Sequence, residues 1–155
     1  MHPTFAQYTT KLAASLERLL AMSPIRPLRV PATVPTAGVY LFTENDVPLY
    51  VGRSNSLRRR MNRHGSPSAS HRQGAFAFRL ARAETGNFRA TYKKEGSRAN
   101  LMTIPSFAES FMRAKARIQT MDLRFVEEAD PLRQTLLEVY VAVVLKTPYN
   151  DFDNH

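Results

Sequence analysis

The sequence predicts an α+β domain: a small, three-stranded antiparallel sheet flanked by helices, with an extra N-terminal helix and a basic helical and loop insertion. Two strand-like runs, residues 37–42 and 48–51, stand on either side of the turn signal Glu44-Asn45-Asp46, as in a hairpin. A third alternating run, residues 123–126, lies between two segments with helical signals, and no internal repeat is present.

The elements follow in chain order. Phe5, Tyr8, Leu12, Leu16, Leu19 and Leu20 recur at helical spacing, so one amphipathic helix is expected over residues 4–22. Ser23-Pro24 and Pro27 end it, and the prolines up to Pro35 make a stiff, extended connector. After the hairpin and Gly52, a helix runs through Leu57, Met61 and His64, with Ser54 or Ser56 as N-cap. Gly65 and a Ser/Pro cluster stop it. Residues 66–103 are polar and basic, with one helix expected near 75–83 and mobile loop in parts of 85–100. Ser106 with Glu109 forms a capping-box pattern that opens a helix to about Gln119. Asp130-Pro131 starts the last helix, which runs to about Leu145 before Thr147-Pro148. The expected division is a helix and Pro-rich connector over 1–36, then a domain over 37–155 with the insertion at about 65–120.

Composition bounds the function. The 155 residues and 43% hydrophobic content fit one globular domain with a modest core. No apolar run is long enough to span a bilayer and no signal-peptide pattern opens the chain, so a soluble, cytoplasmic protein without a membrane partner is expected. The absence of cysteine excludes disulfides and thiolate zinc sites within the chain. The net charge is +9, and its distribution is uneven: residues 53–98 hold twelve Lys and Arg against Glu84 and Glu95. That third of the chain carries the whole excess, which points to a polyanion as partner, because neutralised phosphates release counterions. Arg53, Arg58, Arg59, Arg63, Arg72, Lys93 and Lys94 are the expected grip.

Tyr40, in Gly38-Val39-Tyr40, and Tyr50, in Tyr50-Val51-Gly52, fall on the two strands of the hairpin, where both phenols can share a face. Half-buried tyrosines are common in strands, so each alone says little. Arg60 and His64 are four apart on the next helix and share its face, a disposition that suits a phosphate clamp. Glu138 is the one carboxylate in the apolar run TLLEVYVAVVL, residues 135–145, whose helix is expected to be largely buried. Stranding it there costs several kcal/mol, so it needs a cation or a cleft. Two readings stand level: an ion pair with Arg60 or Arg124, or a ligand for a hard cation completed by water and substrate phosphate.

Taken in order, Gly38-Val39-Tyr40, Tyr50-Val51-Gly52-Arg53-Ser54, Leu57, Arg60 and His64 resemble the first half of a GIY-YIG nuclease domain, with valine for isoleucine in both triplets. Glu138, its apolar helix and Pro148-Tyr149-Asn150 resemble the second half, as in the N-terminal domain of the UvrC repair nuclease. In that pattern proline stands two before tyrosine, whereas Pro148 is adjacent to Tyr149. Residues 65–120 and the N-terminal helix find no counterpart in the resemblance. It implies a metal-dependent endonuclease, with DNA favoured as substrate. Tyr40 or Tyr50, preferably Tyr40, would act as general base, and Arg60 would stabilise transition-state charge. Glu138 would hold one Mg²⁺ or Mn²⁺, His64 would lie near the attacking side, and Arg53 would tune a tyrosine or touch phosphate. Asn150 would support the site by hydrogen bonding, while Gly38 and Gly52 would permit close backbone approach.

Two readings compete with this one. A catalytically inactive nucleic-acid-binding module would keep the fold and bind without cleaving. An interaction protein would use the connector and N-terminal helix to dock a partner, with Glu138 in a buried ion pair.

Overall fold

The computed structural model describes residues 1–87 and 93–153. Its elements are α1 (Pro3–Thr9), α2 (Leu12–Ala21), β1 (Gly38–Glu44), β2 (Val47–Ser54), α3 (Leu57–Gly65), α4 (Ala75–Thr85), α5 (Arg98–Met102), α6 (Pro105–Gln119), β3 (Asp122–Glu127) and α7 (Pro131–Leu145). They form the α+β arrangement that the sequence predicts, an antiparallel sheet of order β2-β1-β3 between two helical layers.

The hairpin is set by its turn. Asn45 and Asp46 both take positive φ, 50° and 62°, in a two-residue loop closed by Glu44 opposite Val47. Two positive φ values match the strand twist, and Asn and Asp tolerate them. Phe42 pairs with Tyr50 but Thr43 pairs with Pro48, leaving Leu49 as the extra residue of a bulge. Tyr40, Phe42, Leu49, Tyr50 and Leu123 belong to a core with α3, α4 and α6, and Val39, Leu41, Val51 and Val126 to a second core with α2 and α7. Gly38 permits the β1–β3 contact, because a Cβ there would lie 2.1 Å from the Val126 carbonyl oxygen.

The free edge of β2 is covered from far along the chain. Asn150 accepts from Val51 N at 2.9 Å and donates to Val51 O at 2.7 Å, while Tyr149 N donates to Leu49 O at 3.2 Å. The side-chain amide thus imitates a neighbouring strand, satisfying groups that an edge leaves open.

Several elements depart from expectation. The N-terminal segment is two helices, broken where Thr9 and Thr10 both turn their hydroxyls onto the Ala6 carbonyl. Helix α6 starts one residue before Ser106, with Pro105 in its first turn and no side-chain cap, so the Ser106–Glu109 box does not form. Asp130 does cap α7, accepting from Arg133 N at 2.9 Å. The stretch read as loop over 85–100 begins with the last helical residue of α4 and ends in α5; its residues 88–92, with Arg89, lie outside the described ones. Helix α7 is less buried than its composition implies. Leu137, Val141 and Ala142 face the sheet, but Leu132, Val139, Val143 and Val144 are exposed.

Candidate active site

Tyr40 sits on the central strand opposite Gly52, and its ring occupies the space a side chain at 52 would need. A Cβ on Gly52 would lie 2.3 Å from the Tyr40 hydroxyl oxygen. Gly52 therefore makes way for a side chain rather than a backbone. The Tyr50 ring lies 6.5 Å from that of Tyr40, so the hairpin register brings both phenols to one face. They are not equivalent. Tyr40 is fully buried, whereas Tyr50 keeps 6% of its surface in solvent.

His64 seals the Tyr40 end. It is fully buried among Tyr40, Phe42, Tyr50 and Phe76, with Nε2 2.7 Å from the Tyr40 hydroxyl. Burial, reinforced by Arg60, pushes its pKa down to about 3, so the ring is neutral. Its Nδ1 has no hydrogen-bond partner among the described residues. A buried lone pair is tolerated better than a buried orphan N–H, which argues for the proton on Nε2, donating to the Tyr40 oxygen.

Arg60 comes from the same helix, is half-buried, and acts on both phenols. Burial holds the Tyr40 pKa well above its ordinary value and Tyr50 above it as well. Arg79 and Arg60 both oppose the rise at Tyr50. Both phenols are protonated at neutral pH.

Glu138 reaches this edge from α7. Arg53 Nε donates to its Oε2 at 3.0 Å, so the partner is neither Arg60 nor Arg124. Arg124 instead donates to the Met22 carbonyl and the Thr43 hydroxyl. Burial raises the Glu138 pKa, against the pull of Arg53, Arg79 and Arg60. Among the described residues no group of three or more acidic or histidine side chains could form a metal cage.

Tyr40, Tyr50, Arg53, Arg60, His64 and Glu138 thus converge, with Asn150 supporting β2 beside them. The other expected cations do not. Arg58, Arg59 and Arg63 line a groove of about 560 Å³ between α3 and connector residues Ala32–Thr36, and Arg72, Lys93 and Lys94 are exposed elsewhere. One basic residue absent from the expected site does approach it. Arg79 of α4 lies with its guanidinium carbon 5.9 Å from the Tyr50 ring centre. Its signal was Phe76, three residues before, which puts an aromatic and a cation on one helical face.

Residues 36–100 match the family model of the GIY-YIG catalytic domain. Over these residues the chain is similar to the GIY-YIG domain family. The fold agrees, and the family is one of nucleases, whose substrates are nucleic acids. The GIY-YIG match runs through α3 and α4, so residues 65–100, expected to be unmatched elaboration, lie within the matched span. Glu138 and Asn150 lie beyond it. No curated protein and no solved structure matches the chain. Among the described residues no helix is long and apolar enough to cross a membrane.

Proposed function

We propose that this protein is a divalent-metal-dependent endonuclease that hydrolyses phosphodiester bonds, with DNA as the favoured substrate. The supporting observation is the meeting of two phenols, an arginine and a half-buried carboxylate beside the β2 edge. Arg53 and Glu138, 85 residues apart in the chain, are held within hydrogen-bonding distance there. A carboxylate kept in such a place against its desolvation cost has a use for a cation.

Tyr50 is the better general base of the two tyrosines. It keeps some exposure, and two arginines oppose the upward pull on its pKa. As phenolate it would take a proton from the water that attacks phosphorus. Tyr40 and His64 are positioning residues: the His64-bound Tyr40 oxygen holds Arg60 toward the phosphate, where its fork stabilises developing negative charge.

Glu138 is the protein ligand for Mg²⁺ or Mn²⁺. The fit is that of a hard cation taking one carboxylate and completing its shell with water and phosphate, not that of a preformed cage. When bound, the ion would supply charge to the phosphate and the leaving oxygen. Arg53, already on Oε2, opposes the burial-driven rise in the Glu138 pKa and orients the carboxylate. Arg58, Arg59, Arg72, Lys93 and Lys94, which are exposed, and the partly buried Arg63 serve as non-specific grip on the backbone.

Nicking of supercoiled plasmid with Mg²⁺ or Mn²⁺ tests the reading. Wild type should cleave, and Glu138→Gln and Arg60→Ala should each lose about 100-fold or more, the usual cost of removing a transition-state contact. Full activity in both variants refutes the site. The Arg53–Glu138 pair itself favours a second reading, a non-catalytic nucleic-acid-binding module, since it gives the carboxylate a cation of its own. Salt-dependent binding without metal-dependent cleavage would select that one.

A further inference from the structure

Arg79 occupies a place that composition did not single out. It stands one turn after Phe76 on α4, and Phe76 stacks on Tyr50 at 4.7 Å with the rings nearly parallel. The same turn therefore fixes one ring face of Tyr50 and brings a guanidinium to 5.9 Å from its centre. Arg79 Nη1 donates to the Tyr149 carbonyl at 2.6 Å, which ties the fork to the segment bridging α7 and Asn150. Among the described residues no carboxylate lies within 4 Å of it, in contrast to Arg53. An arginine has five N–H donors in a rigid fork, so one bond to a carbonyl leaves donors for an anion.

We propose that Arg79 is a substrate-contacting residue, a second arginine that α4 delivers to the Tyr50 side of the site to bind a phosphate oxygen of the nucleic acid. This rests on the nuclease reading and adds to it a member outside the two tyrosine triplets and α3. The alternative duty, holding Tyr149 alone, needs only one donor and leaves the charge unused. Electrostatics agree with the placement: Arg79 acts on both Tyr50 and Glu138. With Arg60 facing the same two groups, a phosphate entering beside Tyr50 would meet guanidinium groups from two helices.

The test is equilibrium binding of a short fluorescein-labelled single-stranded DNA, without metal, over a series of salt concentrations. Each phosphate contact contributes about 0.7 to the slope of log K against log salt for single strands. Arg79→Gln should lower the slope by about one such contact, and Arg79→Lys should keep it. A merely structural role moves stability, not slope. In the plasmid assay Arg79→Lys should still lose about tenfold or more, because an ammonium cannot reproduce the fork. An unchanged slope in Arg79→Gln, with wild type binding normally, overturns this inference alone. No salt-dependent binding by wild type overturns the nucleic-acid reading and this one with it. If Arg79→Gln does not fold, Arg79→Lys decides: wild-type cleavage overturns the proposal, and impaired cleavage with normal binding supports it.

Discussion

The ring of Tyr40 crosses the Cα of Gly52 so closely that a methyl group at 52 would stand 2.3 Å from the phenolic oxygen. The second triplet's glycine is therefore part of the first triplet's tyrosine. Gly52→Ala should push the Tyr40 ring away from His64 and cost about 1–3 kcal/mol as an overpacked core does. Denaturant unfolding together with plasmid cleavage checks this; a variant of unaltered stability and activity contradicts the packing.

The phenols should separate kinetically. Tyr50→Phe should remove the base and abolish most cleavage, while Tyr40→Phe keeps a base and loses less. Because burial raises the Tyr50 pKa, wild-type cleavage should climb about tenfold per pH unit through neutrality, as the phenolate fraction grows. A rate profile that levels off below pH 8 would remove Tyr50 from this role.

His64 gives a stability signature. Its folded pKa of about 3 lies below the ordinary 6.5, so the unfolded chain takes up a proton that the folded one refuses. The stabilisation is complete above 6.5 and is lost as pH falls from there toward about 3, at up to about 1.4 kcal/mol per pH unit. His64→Gln should flatten this part of the curve. Nitrogen NMR of the imidazole should find it neutral at pH 5, and a midpoint near 6.5 would contradict its burial.

Glu138 has the opposite sign to a conventional paired carboxylate. Its folded pKa is raised, chiefly by burial, so the carboxyl helps the fold below about 4.5 and hurts it as pH rises through the folded pKa. Glu138→Gln should therefore melt higher than wild type at neutral pH and match it in acid, while losing cleavage. A large drop in melting temperature would mean that the Arg53 pair is structural.

Much of this was legible in the sequence, for identifiable reasons. The turn residues Asn45 and Asp46, the alternation in the strands and the Asp130-Pro131 cap are local signals, and their elements formed as expected. The shared face of Tyr40 and Tyr50, and of Arg60 and His64, follows from strand and helix periodicity. What periodicity cannot supply is which groups meet across the chain. Glu138 found Arg53 rather than Arg60 or Arg124 because α7 packs against β2, and Arg79 entered through a helix expected to lie outside the family pattern. The exposure of Val139, Val143 and Val144 was likewise hidden, since an apolar letter does not say which side of α7 is covered.

The bond from Asn150 to Val51 spans 99 positions of the chain, and it has a consequence for the order of events in folding. A loop of that length closes slowly, because its entropy is lost before the contact rewards it. The hairpin, by contrast, is local and can form early. The two tyrosines can therefore come together on the hairpin before Asn150 and the last helix close over β2. The grouping of Glu138 with Arg53 waits on the docking of the last helix against β2.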